Sequence, residues 1–159
     1  MLMLPWSVAS FMAIAATGRY FNRIGPRPLI VIGCLLQAIG ILLLINVSST
    51  TLLPAVAFTL MGAGGSLCSS TAQSSAFLTT RREDMPDASA LWNLNRQLSF
   101  FAGALLLAQV LNIMQAYLAP LTAWHGMFAF AAAITLLPVP YVFRLNNTQV
   151  LAQLQQEKP

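Results

Sequence analysis

Arg96 is the residue whose surroundings point most clearly to chemistry, because it is the one charge between Asp87 and Arg144. It lies about ten residues into a predicted helix, or ~15 Å along the axis at ~1.5 Å per residue. Asn93 and Gln97 share its face by helical spacing. A buried cation in an apolar stretch needs a partner or water, which predicts a substrate or ion pathway. Two alternatives stay open: a structural arginine that donates to backbone carbonyls, and a side chain that reaches toward the nearer membrane surface.

A second polar group lies within residues 62–75, a run rich in glycine, alanine, serine and threonine. Ser66, Ser70 and Gln73 recur at helical spacing and share one face, which predicts a polar wall along a transport pathway. Small residues at such spacing, for example Gly62 and Ser66, also let helix backbones approach closely. Both interpretations stay open, since they can apply to different faces of one helix.

Catalysis by these residues is not expected. Ser66 and His125 would be a possible nucleophile and base, but their predicted depths of ~18 Å and ~8 Å from the same surface separate them by about 10 Å. Cys34 and Cys68 lie singly in apolar runs without metal or redox spacing, and behave as small hydrophobic residues. We therefore predict no enzymatic activity, no bound metal and no cofactor.

The composition is that of a chain surrounded by lipid. Of the 159 residues, 57% are hydrophobic and 8% are charged, whereas an ordinary soluble domain has about 25% charged residues. No charge occurs in residues 1–18, 28–80 or 97–143. A membrane-spanning helix needs about 20 apolar residues, so these stretches predict one, two and two such helices.

Together these stretches predict an all-α membrane protein, a bundle of five transmembrane helices within residues 1–143. A proline stands at the predicted start of each of the last four, where its missing N–H has no cost. The expected helices cover residues 1–17, 28–45, 54–78, 86–114 and 120–143. The first is barely long enough to cross a bilayer of ~30 Å, which predicts that N-terminal helices are missing before it.

The basic residues predict an orientation. Seven of the eight lie in three segments: the turn after the first helix, the loop after the third, and the tail formed by residues 144–159. They are Arg19, Arg23, Arg27, Arg81, Arg82, Arg144 and Lys158. Alternating helices bring these segments to one side, which the positive-inside rule makes cytoplasmic. We predict a multi-pass protein of the cell inner membrane with a cytoplasmic C-terminus and the lipid bilayer as partner. No nucleic-acid partner is expected, because no basic face carries interleaved aromatic residues.

The turn after the first helix reads GRYFNRIGPR at residues 18–27. It resembles the signature loop of the major facilitator superfamily, G-x-x-x-D-R-x-G-x-R, through Gly18, Arg23, Gly25 and Arg27. In that family the loop is cytoplasmic and its aspartate helps to latch two helices together. This chain has Asn22 there, which brings no charge, and charged hydrogen bonds are roughly twice as strong as neutral ones. The resemblance implies a weaker latch; the alternative is a loop that only orients the chain.

Residues 87–99, DASALWNLNRQLS, followed by Gly103, resemble the penultimate helix of the fourteen-helix drug:proton antiporter branch of that superfamily. This resemblance implies the C-terminal portion of a transporter fold. It also implies proton-coupled multidrug efflux of small-molecule substrates by alternating access. The coupling carboxylate would lie in the missing N-terminal helices, since no Asp or Glu lies deep in these five. The alternative is a non-transporting membrane accessory protein, or the inert remnant of a truncated transporter gene.

Overall fold

The structure is a computed structural model that describes residues 3–46, 52–78 and 80–144. Over these residues the chain is all-α, as its composition predicts. The helices are α1 (Met3–Ile24), α2 (Pro26–Leu43), α3 (Leu52–Phe77), α4 (Met85–Tyr117), α5 (Pro120–Leu136) and α6 (Pro138–Val142). A 3₁₀ turn at Leu44–Asn46 follows α2. Of the predicted tail, only residue 144 lies within the described ranges.

Length and composition allow four parts of the described chain to cross a membrane. These are α2, α3, α4 and the segment Pro120–Val142, which contains α5 and α6. The helix α1 is long, with 22 residues, but its last turns carry Arg19 and Arg23. The apolar character needed for a span is therefore met by four of the five predicted helices.

The turn expected at residues 18–27 is almost entirely helical. The helix α1 continues to Ile24, and α2 begins at Pro26, so only Gly25 separates them. Phe21 explains the extension, because it is buried in a cluster with Ala13, Leu29 and Leu67. Burial of this aromatic ring holds the last turns of α1 against α2 and α3, although arginines flank it. The expected bounds of 1–17 and 28–45 are corrected accordingly.

The segment expected as one helix over residues 120–143 is divided into α5 and α6 at Leu137. The cause is Pro138 together with Pro140, since a proline inside a helix removes one backbone hydrogen bond and clashes with the preceding turn. Leu137 keeps helical angles and its N–H donates to the carbonyl of Ile134, 3.0 Å away. The chain therefore continues in nearly the same direction after the break.

The helix α3 lies at the centre, with α1 and α2 packed along two of its sides. Its contact with α1 is parallel: Ser10 Oγ donates to the carbonyl of Gly62 at 3.2 Å, and Thr17 Oγ1 lies 2.8 Å from Ser70 Oγ. Its contact with α2 is antiparallel and closer. A Cβ on Gly64 would lie 2.5 Å from the backbone nitrogen of Gln37, so only glycine permits this approach.

The helices α5 and α4 extend the bundle from α2. The helix α5 packs on α2 through a cluster that includes Ala38, Ile41 and Ala132. The helix α4 packs mainly on α5, where Met114 lies against Gly126, and it has no buried residue among its 33. Most of the surface of α4 is thus available to lipid or to other helices.

The basic segments meet at one end of the bundle. Leu78, at the end of α3, packs on the cluster that contains Phe21, so the ends of α1 and α3 are neighbours. The guanidinium of Arg27 lies 4.7 Å above the ring of Phe143, which brings the end of α6 to the start of α2. We call this the basic end; it also holds Arg81, which pairs with Glu83 at 3.6 Å.

Candidate functional site

The signature segment, residues 18–27, is built around one glycine. Gly25 is buried and has φ 82° and ψ 173°, a conformation that residues with a side chain rarely adopt. Its N–H donates to the carbonyl of Phe21 at 2.9 Å and closes α1, and Pro26 then begins α2. Arg23 is exposed and Arg27 lies on Phe143. The side chain of Asn22, the predicted latch residue, lies outside the described part of the structure.

Replacing Gly25 with alanine is expected to destabilise the chain by about 1–3 kcal/mol, the cost of a non-glycine residue in this region of backbone angles. The measurement is thermal unfolding in detergent, followed by far-ultraviolet circular dichroism. Gly18→Ala is the matched control, because Gly18 is helical and a Cβ there meets no atom within 4 Å. That control is expected to be neutral or stabilising; equal midpoints for the two variants would contradict the role of Gly25.

The serine face of α3 is turned partly to α1. Ser70 shares its hydrogen bond with Thr17 and also lies 3.4 Å from the carbonyl of Leu67, so it serves helix packing. Ser66 and Gln73 are half-buried on the same face. The glycines and Ser70 therefore serve close packing, and the pathway interpretation of Ser66 and Gln73 stays a prediction.

A cleft separates α3 from α4. The two helices meet at an edge-on contact between the rings of Phe77 and Trp92, whose centroids lie 6.1 Å apart. A cavity of about 440 Å³ lies beside this contact, with Thr80 and Asn95 among its lining residues. Apart from this region, α3 and α4 have little contact with each other.

Gln73 is four residues before Phe77 on α3, and Arg96 is four residues after Trp92 on α4. Each is therefore one helical turn from the aromatic pair along its own helix. Ser70, in contrast, is turned toward α1, where it meets Thr17. The pathway role of Gln73 and Arg96 stays a prediction.

The other predicted residues of α4 differ in what they contact. Asn93 donates from Nδ2 to the carbonyl of Ser89 in its own helix, at 3.0 Å, and so its amide is occupied. Arg96 and Gln97 have exposed side chains. Within the described ranges, the ion pair present is that between Arg81 and Glu83, far from Arg96 along the chain. Arg96 therefore has no ion-pair partner among the described residues, and its role in a pathway stays a prediction.

The aromatic pair was not predicted from the sequence. Phe77 and Trp92 flank the polar loop between α3 and α4, and that placement is the signal that could have identified them. Trp92 adds a further feature, because its buried Nε1 has no hydrogen-bond acceptor among the residues described. An indole N–H that is buried usually finds a partner, so this unpaired donor is unusual.

Comparison with known proteins decides the class of the chain. A family model described as the Major Facilitator Superfamily matches residues 1–158. The chain belongs to the major facilitator superfamily. No curated protein and no solved structure gives a significant match.

Members of the major facilitator superfamily are transmembrane transporters rather than enzymes, so the chain is a multi-pass membrane protein of the transporter class. The match confirms the resemblance seen in the signature segment at the level of the superfamily. It also agrees with the four apolar helices of membrane-spanning length.

Proposed function

We propose that this chain belongs to a secondary transporter that exports small, amphiphilic molecules by alternating access, and that the α3–α4 cleft is part of the pathway. The observation that carries the proposal is the contact between the rings of Phe77 and Trp92, which joins α3 to α4 beside a cavity. By helical spacing, Gln73 and Arg96 are each one turn from that contact. Charged side chains within membrane segments are costly and usually face a solute or ion pathway. A carboxamide and a guanidinium suit a solute with polar acceptors attached to an apolar body.

The aromatic pair is proposed to close the pathway toward the basic end. The rings of Phe77 and Trp92 provide the contact between α3 and α4 at this level, and the indole Nε1 is unpaired within the described residues. A solute that passes would separate the rings and could accept a hydrogen bond from Trp92. Because α4 has no buried residue, it can shift against α3 without opening a packed core.

Further helices are proposed as partners of α4. Leu94, Leu98, Phe101 and Leu105 recur at helical spacing, and each is half or more exposed. Such an apolar stripe suits lipid or N-terminal helices of the same transporter, and alternating access itself requires two halves around a central site. No cofactor and no nucleic acid enters this scheme.

Proton-coupled drug efflux is proposed from the resemblance to the fourteen-helix antiporters. The acidic residues in the described ranges are Glu83, Asp84 and Asp87, which lie in the α3–α4 turn or the first turn of α4. We infer that the intramembrane carboxylate that takes up the coupling proton lies on the N-terminal helices. The basic end is proposed to face the cytoplasm of a cell with an inner membrane, by the positive-inside rule.

A flux assay tests the proposal. The transporter that contains this chain, in proteoliposomes with an imposed proton gradient, is expected to move a fluorescent cationic or amphiphilic drug. Uncoupler is expected to abolish that movement. The chain alone is expected to give no flux, because it offers only part of the two halves that alternating access requires. Absence of flux from both preparations would favour the accessory-protein or remnant alternative, and flux that uncoupler does not change would exclude proton coupling.

The latch role of residue 22 has its own test. Asn22→Asp restores the charge found in the family signature, next to Arg23 and close to the start of α2. Stronger pairing is expected to slow the exchange between the two conformations and to lower the transport rate. Rates and conformational exchange are measured in the transporter that contains this chain. If both are unchanged, the segment only orients the chain in the membrane.

A further inference from the structure

Two thiols lie side by side where α2 crosses α3. The Sγ atoms of Cys34 and Cys68 are 3.5 Å apart, and Cys68 Sγ also lies 3.3 Å from the carbonyl of Ile30, to which it can donate. Both thiols are free. They lie on the side of α3 that faces α2, whereas the proposed pathway lies between α3 and α4, so transport as proposed gives them no role.

The packing around the pair holds the sulfur atoms together. A Cβ on Gly33, the residue before Cys34, would lie 2.6 Å from Cys68 Sγ and 2.9 Å from the carbonyl oxygen of Gly64. The two helices thus approach closely at this level, which keeps the Cα atoms of the two cysteines near each other. Cys34 is 5% exposed and Cys68 is half-buried, so Cys68 is the sulfur that an incoming molecule meets first.

The distance between the two sulfurs indicates which chemical group this pair of thiols can bind. A disulfide would bring them to about 2.05 Å, and its formation needs a two-electron oxidant, whereas both thiols here are free. Structural zinc needs four ligands, and the described residues contain no group of three or more His, Cys, Asp or Glu able to hold a metal ion. A trivalent arsenic atom needs only two sulfurs. Its bonds meet at slightly more than a right angle, which spaces the sulfurs close to the distance seen here.

We propose that Cys34 and Cys68 form a chelating site for one monosubstituted trivalent arsenical, which bridges α2 and α3. The arsenical enters as the neutral dihydroxy form, R–As(OH)₂. Cys68 Sγ bonds to arsenic first, and its proton leaves with one hydroxyl as water. Cys34 Sγ then displaces the second hydroxyl in the same way.

The reaction balances without an oxidant or a reductant. Two As–O bonds and two S–H bonds break, two As–S bonds form, two waters leave, and arsenic stays trivalent. The product is uncharged, which suits an apolar location where an isolated charge would be costly. The second bond forms within one molecule, so two-point attachment is expected to exceed one-point attachment by about 10²–10⁴ in affinity.

The test uses phenylarsine oxide as probe on the chain purified in detergent. Mass spectrometry is expected to show one phenylarsenic group per chain, with both thiols lost to maleimide labelling. A dithiol such as dimercaptopropanol is expected to remove the group, and an excess of a monothiol is not. The variants Cys34→Ser and Cys68→Ser are each expected to bind the probe about 100-fold or more weakly. An excess of monothiol is expected to remove the probe from either variant. The double variant is the control for other sites.

The number of free thiols that remain after treatment is measured on the unmodified chain. This part of the test therefore does not depend on how well the variants fold. One thiol left free, two arsenicals per chain, or equal affinity of the single variants and the unmodified chain would each overturn the proposal. Reaction of phenylarsine oxide with the thiols only after unfolding in sodium dodecyl sulfate would also overturn it, because the folded pair would then be closed to the arsenical.

Discussion

Replacing Arg96 with glutamine is expected to lower transport by roughly 10- to 100-fold, because a hydrogen bond to a charged group contributes about 1.5–3 kcal/mol and about 1.4 kcal/mol is tenfold. Glutamine keeps the polarity of the side chain and removes its charge. If Arg96 holds the solute with similar strength throughout the cycle, the loss appears mainly as a higher KM; a lower maximal rate would place the contact in the conformational step. The measurement is the initial rate of uptake into proteoliposomes over a range of solute concentrations.

Arg82→Gln is the matched control. It makes the same change at an exposed arginine in the turn between α3 and α4, where surface charges contribute little, so the rate is expected to stay close to that of the unmodified transporter. Arg96→Lys, which keeps the charge, is expected to retain part of the activity. Normal transport by Arg96→Gln would remove the pathway role of this residue and favour the two alternatives, a structural arginine that donates to backbone carbonyls or a side chain that reaches the membrane surface.

Replacing Gly64 with alanine is expected to destabilise the bundle by about 1–3 kcal/mol or more, the usual cost of adding a methyl group to a site with no room. The new Cβ would lie 2.5 Å from the backbone nitrogen of Gln37 and 2.6 Å from the carbonyl oxygen of Gly33. Both neighbours are backbone atoms and cannot rotate away, so α2 and α3 must move apart. The measurement is the midpoint of thermal unfolding in detergent, with free thiols labelled as the helices separate.

Gly103→Ala serves as the control for this variant. Gly103 is also in a helix, α4, but a Cβ there meets no atom within 4 Å. Alanine is more favourable than glycine inside a helix by roughly 0.5–1 kcal/mol, so the midpoint is expected to rise or to stay unchanged. If both alanines shift the midpoint in the same direction, helix propensity and not the α2–α3 contact dominates the response.

The predicted helix bounds differ from the observed ones where tertiary packing acts. The expected starts at residues 86 and 120 lie within one residue of those of α4 and α5, because a proline at the first turn is a local signal. The turn at residues 18–27 carries glycine and arginine, which indicate a loop, yet burial of Phe21 keeps it helical. That burial depends on Leu29 of α2 and Leu67 of α3, which pack on Phe21 only in the folded bundle.

The candidate site was partly predictable. Arg96 stands out in any reading of the sequence, because a single charge in a long apolar stretch has no local explanation. The contacts of Ser66, Ser70 and Gln73 could not be told apart, since the three share one face and are all polar. Only the structure shows that Ser70 meets Thr17 of α1 and that α3 meets α4 through Phe77 and Trp92.

The sequence by itself determined the environment and class of this protein: helices in lipid, with basic turns at one end and a transporter signature between two of them. These properties follow from composition and short motifs, since the cost of placing charge in hydrocarbon adds up residue by residue. The tertiary structure alone decided which sides of α3 meet α1, α2 or the open cleft. Glycine and serine suit a packed crossing and a polar wall equally well, and the choice depends on how closely a second helix backbone approaches.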